Sequence, residues 1–353
     1  MKILQVMAGN DHGGAETAFV DTCIAMKEAG MHIEVATRAN EIRVPALEAA
    51  GINVHKLPFG GPVDVFTTWK LGRIIKSFSP LIVQTWMSRG AAKTPNWKSV
   101  KTPQRYLVVP RLGGYYKIKN FKSADYFNVV TPDLKRHLVD SGVAEDKIRV
   151  VNNFAETESD VVPVHKTDFG IPLDAPVTIS LGRLHSSKAY DVLLQALAEL
   201  PGVYAVIAGE GPDRAALEHL AHALGVTDRV KFIGWRTDRS ALLRMADVCV
   251  FASRVEPFGT VFAQSWAEKT PVIVSDADGP RQFCHTEEDC LMVPRDDAPA
   301  LRDAIARLLS DKALQQKLSA NGYSRYVNEF TKEKTLSAYF EYFIEILKRE
   351  RIL

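Results

Sequence analysis

Two doubly wound α/β domains, each built on a parallel sheet, are the architecture that the sequence predicts, and three observations carry that expectation. Short apolar runs of strand length alternate with amphipathic stretches of helical period, the pattern of βαβ units. This alternation occurs twice along the chain. Between the two series lies NNFAETESDVVPVHKTDFGIPLDA (152–175), rich in Pro, Asp and Thr and without either period, which reads as a linker. A length of 353 residues exceeds one ordinary core and suits two domains of about 150 to 180 residues each.

In the first series, ILQVM (3–7), IEVAT (33–37), LIVQT (81–85), YLVVP (106–110) and FNVVT (127–131) read as strands. A helix fits 15–29, with Ala18, Cys23, Ile24 and Met26 toward the sheet and Gly30 ending it. After FNVVT, Thr131 caps and Pro132 opens the helix DLKRHLVDSG. The second series runs VTISLG, helix DVLLQALAEL, YAVIAG, helix AALEHLAHAL, VKFIG, helix SALLRMA, VCVFAS, helix VFAQSWAEK, PVIVS and LMVP. In KEKTLSAYFEYFIEILKRERIL, positions Leu336, Tyr339, Phe340, Phe343, Ile344 and Leu347 recur at helical spacing and predict a core-facing stripe. The expected divisions are 1–160, 161–331 and a final helix, 332–353, that packs back on the N-terminal domain.

Composition excludes several classes. With 46% apolar and 24% charged residues the chain is globular, and no window approaches the roughly 18 apolar residues of a membrane span. MKILQVMAGN reads as a first strand and not a signal peptide, so a cytoplasmic location is expected. Cys23, Cys249, Cys284 and Cys290 lack CxxC spacing, which predicts buried thiols and not zinc or redox chemistry. Net charge is only +2, but no Asp or Glu occurs from Val65 to Ala124, where a dozen cations interleave with Trp69, Trp86, Trp97, Tyr106, Tyr115, Tyr116 and Phe121. Nucleic-acid motifs are absent. An anionic membrane surface, or an acceptor bearing phosphate, fits this 65–124 segment better.

No GxGxxG and no GxxxxGK[ST] occurs, which removes dehydrogenase and P-loop readings. Two such domains without those fingerprints leave an inter-domain cleft as the natural ligand site. Three motifs carry chemistry. Gly13-Gly14-Ala15-Glu16 opens a helix after the first strand, where backbone N–H groups can face a phosphate. GRLHSSKAYD follows a strand, so Arg183 and Lys188 project from the carboxyl edge of the sheet and can grip a diphosphate. SRVEPFGTVFAQSW offers the Glu256 carboxylate for sugar hydroxyls, the amides of Gly259, Thr260 and Val261 for phosphate, and Gln264 for ribose.

The ordered set GGAE, GRLxxxK, GEGP, FIGW, SRxEPFGxxxxQ and SDxDGPRQ resembles the retaining glycosyltransferases of family 4, which have the GT-B fold of two Rossmann-like domains facing each other across a cleft. The resemblance spans nearly the whole chain and is strongest from about Val177 to Pro294. It implies transfer of a sugar from a UDP-, GDP- or ADP-sugar to a glycan or lipid-linked glycan, with retention at the anomeric carbon, no bound metal and no cofactor. By matching positions, Gly13 and Gly14 would face donor phosphates, Arg183 and Lys188 would bind the diphosphate, and Glu256 would hold the donor sugar with Phe258 and Gly259 beside it. Thr260 and Val261 would approach the diphosphate, Gln264 the ribose, and Ile233 within FIGW the base. The catalytic set would be Glu256, Arg183 and Lys188, with attack on the same face from which the diphosphate leaves.

Three departures stand out. Gln264 replaces the usual second Glu, which weakens donor binding about tenfold, and by up to about a hundredfold. VVPRLGGYYKIKNF replaces a stretch where relatives carry a histidine near the reacting sugar, so Arg111 and Tyr115, with His12, are the candidates there; RLGGYY resembles the lipopolysaccharide and surface-polysaccharide sub-branch. Ala189 replaces a glycine after Lys188, a harmless change if the backbone there is helical. Asp276 and Asp278 spell DxD but stand at a glycine turn, and a metal role is not expected. The competing readings are a sugar-nucleotide epimerase or sucrose- or trehalose-type synthase, and a nucleotide-sugar-binding pseudoenzyme. A peripheral location at the inner face of the cell membrane follows from the basic segment.

Overall fold

A computed structural model describes residues 1–10, 13–61, 63–155, 157–158 and 161–353. They form two compact units, Met1–Asn153 with Lys332–Leu353, and Phe154–Thr331. The first unit holds β1 (Lys2–Met7), β2 (His32–Thr37), β3 (Asn53–Lys56), β4 (Ile82–Trp86), β5 (Leu107–Leu112), β6 (Phe127–Val129) and β7 (Ile148–Val150) in the order 3-2-1-4-5-6-7. The second holds β8 (Val177–Leu181), β9 (Tyr204–Ala208), β10 (Val230–Phe232), β11 (Val248–Phe251), β12 (Val272–Ser275) and β13 (Leu291–Val293) in the order 10-9-8-11-12-13. Every strand pair is parallel. The doubly wound α/β class read from the alternation is therefore the class observed.

In both sheets the chain winds one way and then the other, so the order reverses at β1/β4 and at β8/β11. Loops leaving the carboxyl ends of such strands splay apart and open a crevice. The Gly13-Gly14 turn follows β1, Arg183 and Lys188 follow β8, and Glu256 follows β11. The predicted motifs thus stand at the two switch points.

The Lys332–Arg349 helix belongs to the first unit. Its buried stripe is Tyr339, Tyr342, Phe343, Ile346 and Leu347, while Phe340 is half exposed. Tyr339, Phe343 and Leu347 of the predicted stripe are in it, while Tyr342 and Ile346 were not predicted; Tyr342 is buried with its hydroxyl donating to the Phe127 carbonyl at 2.8 Å. Tyr339 likewise donates to Asn128 Oδ1 at 3.0 Å. These tyrosines bury their rings and still satisfy their polar tips.

The aromatics of the acid-free segment divide. Trp86, Tyr106 and Phe121 are buried in the core, whereas Trp69 and Tyr115 are about half exposed. The segment is therefore not an aromatic surface throughout, and its exposed rings are few enough to localise. No helix among the described residues is long and apolar enough to cross a membrane.

Candidate active site

After β8, buried Leu184 pins the turn by donating its N–H to the Glu210 carbonyl at 3.0 Å. The residues on either side are left facing outward. Arg183 is exposed and has no hydrogen bond or ion pair among the described residues. Lys188, at the end of the Ser186–Lys188 turn, makes an ion pair with Glu256 and stands 5.5 Å from the Phe251 ring centroid. An ammonium has three donors, so a lysine holding one carboxylate keeps donors for an anion.

The Glu256 loop is built to hold that pair. Arg254 and Val255 donate their N–H groups to the Ser187 carbonyl at 2.8 and 3.3 Å, stitching the loop to the lysine's turn. The Arg254 guanidinium grips Asp191 with two bonds of 2.6 and 2.8 Å, reaches the Ser186 carbonyl at 2.7 Å and pairs with Asp296. The Asp191 bonds raise the Arg254 pKa further. Burial opposes ionisation of Asp191, but the Arg254 hydrogen bonds and charge outweigh it and hold the carboxyl below its usual range. On the far side, Gly279 donates to the Glu256 carbonyl at 2.7 Å. A Cβ at Gly279 would lie 2.3 Å from the Phe258 carbonyl oxygen, so only glycine permits that approach.

Gly259 has φ 76°, and a Cβ there would meet the Phe251 ring at 2.5 Å. Thr260 caps the Val261–Ala267 helix without a side-chain bond, leaving its first amides unclaimed by a cap. Gln264 is buried to 95%, and its side-chain amide makes no hydrogen bond among the described residues. Phe258 points elsewhere: its ring packs 5.1 Å from Phe283 and 5.7 Å from Phe262, inside an aromatic cluster. Ile233 is half-buried, with its N–H donated to the Ile207 carbonyl at 3.1 Å, and the neighbouring Trp235 is exposed.

Ala189 overturns one expectation. Its backbone is left-handed (φ 54°, ψ 37°) and not helical, and the residue is buried in the core of the second unit with Val248 and Val250 of β11. An alanine therefore carries strain where glycine would not.

In the first unit, Gly13 and Gly14 open the Gly14–Glu28 helix, and the Glu16 carboxylate folds over that end to accept from the Asn10 N–H at 2.8 Å. The helix start thus has its own anion. His12 lies outside the described residues. Arg111 lies in the interior of the first unit. It is 97% buried, stacked 4.2 Å over Trp86 and bonded to Asn153, with Nε unpartnered among the described residues. Burial lowers its pKa, partly offset by the Tyr339 hydroxyl. Tyr115, by contrast, is half exposed, its ring edge-on to His137 at 5.3 Å. A cavity of about 160 Å³, lined by Gly9, Asn10, Arg38, Ala39 and Arg43, was not foreseen, since no motif joins those residues.

The carboxylates of the DxD run are occupied: Asp276 accepts from Arg295, and Asp278 pairs with Arg281. Among the described residues only Cys284, Asp289 and Cys290 converge as metal ligands could. There Asp289 already pairs with Arg325 at 2.7 Å, and burial pushes the Cys284 thiol up, so the group suits a packed interior better than a cation.

Comparison with known proteins agrees with this layout. Residues 162–325 match the model described as glycosyl transferases group 1, and 12–159 match glycosyltransferase family 4. The lipopolysaccharide core biosynthesis glycosyltransferase LpsE of Rhizobium meliloti (strain 1021) is 32% identical over 97% of this chain and 98% of its own length. The chain belongs to the family 4 glycosyltransferases. Two solved structures share the GT-B fold of this family 4 chain. One is a glycosyltransferase from Rickettsia africae ESF-5 (TM-score 0.87, 20% identity, 98% of both chains). The other is Alr3699/HepE of Anabaena in complex with UDP and glucose (TM-score 0.84, 19% identity, 98% of this chain and 100% of that one).

Proposed function

We propose that this glycosyltransferase moves a sugar from a nucleotide-sugar to a glycan or lipid-linked glycan in the assembly of lipopolysaccharide or another surface polysaccharide, with retention at the anomeric carbon and without a metal. The observation that carries the reading is the Lys188–Glu256 ion pair beside the exposed Arg183 at the β8/β11 switch point. One carboxylate and two cations within one loop cluster are what a departing sugar diphosphate needs. The LpsE relative and the UDP- and glucose-bound Anabaena neighbour support the acceptor class and the donor class respectively.

In the mechanism, the donor diphosphate draws Lys188 and Arg183 onto its oxygens. Glu256, relieved of part of its pairing with Lys188, accepts hydrogen bonds from donor sugar hydroxyls and fixes the ring. The acceptor hydroxyl attacks from the face the diphosphate leaves, and the leaving phosphate oxygen takes its proton. Lys188 and Arg183 lower the barrier because charge grows on the phosphate as the bond breaks. Gln264 accepts from a ribose hydroxyl, and Thr260 and Val261 offer amides to the diphosphate. The acceptor is presented at the inner face of the cell membrane.

A panel of UDP-, GDP- and ADP-sugars tests this reading, first by protection against thermal unfolding and then by nucleoside diphosphate release with extracted surface glycans as acceptor. One donor should protect and turn over, with activity unaffected by a chelator. Glu256→Ala and Lys188→Ala should abolish release. Donor protection without turnover would instead make the protein a nucleotide-sugar binder.

A further inference from the structure

The cavity in the first unit has two guanidinium groups in its wall. Gly9 and Asn10 follow β1, Arg38 and Ala39 follow β2, and Arg43 opens the Arg43–Ala49 helix. Loops at this carboxyl edge of a parallel sheet are where ligands bind in doubly wound folds. The volume of about 160 Å³ exceeds the roughly 30 Å³ share of one water several times over, which gives room for a phosphate or a carboxylate.

Both arginines are fixed in place by the protein itself. Arg43 is 97% buried; its Nε donates to the Thr37 hydroxyl at 3.1 Å and its Nη1 to the Asn10 carbonyl at 3.0 Å, while Asn40 Oδ1 accepts from its backbone N–H at 2.7 Å. Gly9 has φ 62°, and a Cβ there would lie 2.7 Å from Arg43 Nη1, so only glycine lets the guanidinium rest against that turn. Half-buried Arg38 donates to the carbonyls of Pro58 at 3.0 Å, Gly9 at 3.4 Å and Phe59. Those bonds use three of its five N–H donors and leave two.

The wall also keeps its positive charge. The partners of Arg38 are all neutral carbonyls, and it makes no ion pair among the described residues. Glu16 and Glu41, which flank the wall along the chain, make no ion pair among the described residues either; Glu16 accepts from the Asn10 N–H, and Glu41 is exposed. Asp11 lies outside the described residues. Carbonyls supply a guanidinium with hydrogen bonds but no negative charge, and a planar fork held in place matches the oxygens of a phosphate or carboxylate.

On the transferase reading the donor diphosphate takes Arg183 and Lys188 of the second unit, so an anion held by the first unit belongs to the other substrate. We propose that this cavity binds an acidic group, a phosphate monoester or a carboxylate, carried by the acceptor glycan, and so selects acidic acceptors over neutral ones. The proposal deepens the transferase reading and rests on it, but its first test needs no turnover.

That test heats the full-length protein with inorganic phosphate or with glucuronate, each against glucose at matched ionic strength. One of the two anions should raise the thermal midpoint and glucose should not, and the anion that does so separates phosphate from carboxylate. Ala39→Glu sets a negative charge at the exposed rim of the cavity and removes none of the bonds made by either arginine; Ala39→Gln is its neutral counterpart. The apparent affinity for the anion should be about tenfold or more weaker in Ala39→Glu than in Ala39→Gln, and KM for extracted surface glycans should differ in the same sense. Protection by the nucleotide-sugar donor should be equal in the two variants. Protection by neither anion, equal anion affinity in the two variants, or a difference that falls on the donor would overturn the proposal. Turnover at unchanged KM on glycans stripped of phosphate and reduced at their carboxyl groups would also overturn it, and would leave the transferase reading intact. Anion binding with no turnover on any donor would keep the anion site and count against the transferase reading alone.

Discussion

Arg254 holds Asp191 through two hydrogen bonds of 2.6 and 2.8 Å, and by doing so ties the Glu256 loop to the start of the helix that follows Lys188. The two residues are 63 positions apart, and neither is in the set of donor contacts read from the sequence. The clamp acts on geometry, since a displacement of about 1 Å near reacting atoms can cost roughly a hundredfold. Arg254→Gln should lower turnover about 30- to 100-fold while donor KM changes less than about threefold. Arg254→Lys should recover only part of this, because a point charge does not reproduce the two-bond fork. Nucleoside diphosphate release at saturating and subsaturating donor separates the two constants; a loss confined to KM would show that the clamp does not position the pair.

Ala189 supplies a test of strain against packing. Its left-handed backbone costs about 1 to 2 kcal/mol relative to glycine. Replacing it with glycine forfeits about 0.8 kcal/mol of methyl burial and about 0.5 to 1 kcal/mol through the freer unfolded chain. These terms nearly cancel, so Ala189→Gly should shift stability by less than about 0.5 kcal/mol in urea unfolding. Ala189→Val adds volume in a filled core and a β-branch in the wrong backbone region, and should cost more than about 2 kcal/mol.

Gln264→Glu should tighten donor KM about tenfold if the side chain meets the ribose, since the new bond is charge-assisted. The position is 95% buried, so an unliganded carboxylate there has its folded-state pKa raised by desolvation. A raised carboxylate pKa means that ionisation favours the unfolded chain. The variant should therefore match the wild type at about pH 4 and lose stability as pH rises past the unfolded value near 4.3. Melting curves from pH 4 to 8 check the sign, and unchanged donor KM would show that the side chain misses the ribose.

Asp64 gives a pH dependence of the opposite sign. Its bonds from Thr67 hold its pKa down at about 2, below the ordinary 3.8. The stabilisation is present above the unfolded value and is lost as pH falls from about 4 toward 2. Asp64→Ala should lower the melting temperature at neutral pH, and the gap from wild type should close over that acid window. A gap that stays constant to pH 2 would mean that the cap does not act through its charge.

Much of the fold was legible because its central strands are continuous apolar runs flanked by helical periods. β3 and β7 escaped for the converse reason: NVHK and IRV are short and only partly buried, so they carry little pattern. Lys188 and Glu256 were legible as loop residues after strands, but their pairing was not, since spacing along the chain does not reveal which switch-point loops touch. Arg254 was visible in the string SRVEPF yet had no signal of its partner. The burial of Arg111 was not legible, because nothing along the chain shows that Trp86, one strand over in register, gives it an aromatic face to lie on. The left-handed turn at Ala189 was hidden because alanine is the residue that least advertises one.

The Lys332–Arg349 helix completes the core of a unit whose sheet ends at Val150, while the whole second unit is encoded between them. During synthesis at about 5 to 20 residues per second, the seven-stranded sheet therefore waits roughly 10 to 35 seconds for its last layer. Throughout that interval the patch around Tyr126, Phe127 and Asn128 faces water without Tyr339 and Tyr342. The second unit emerges with all of its own strands and can fold first, so the half that is translated first is the half that finishes last.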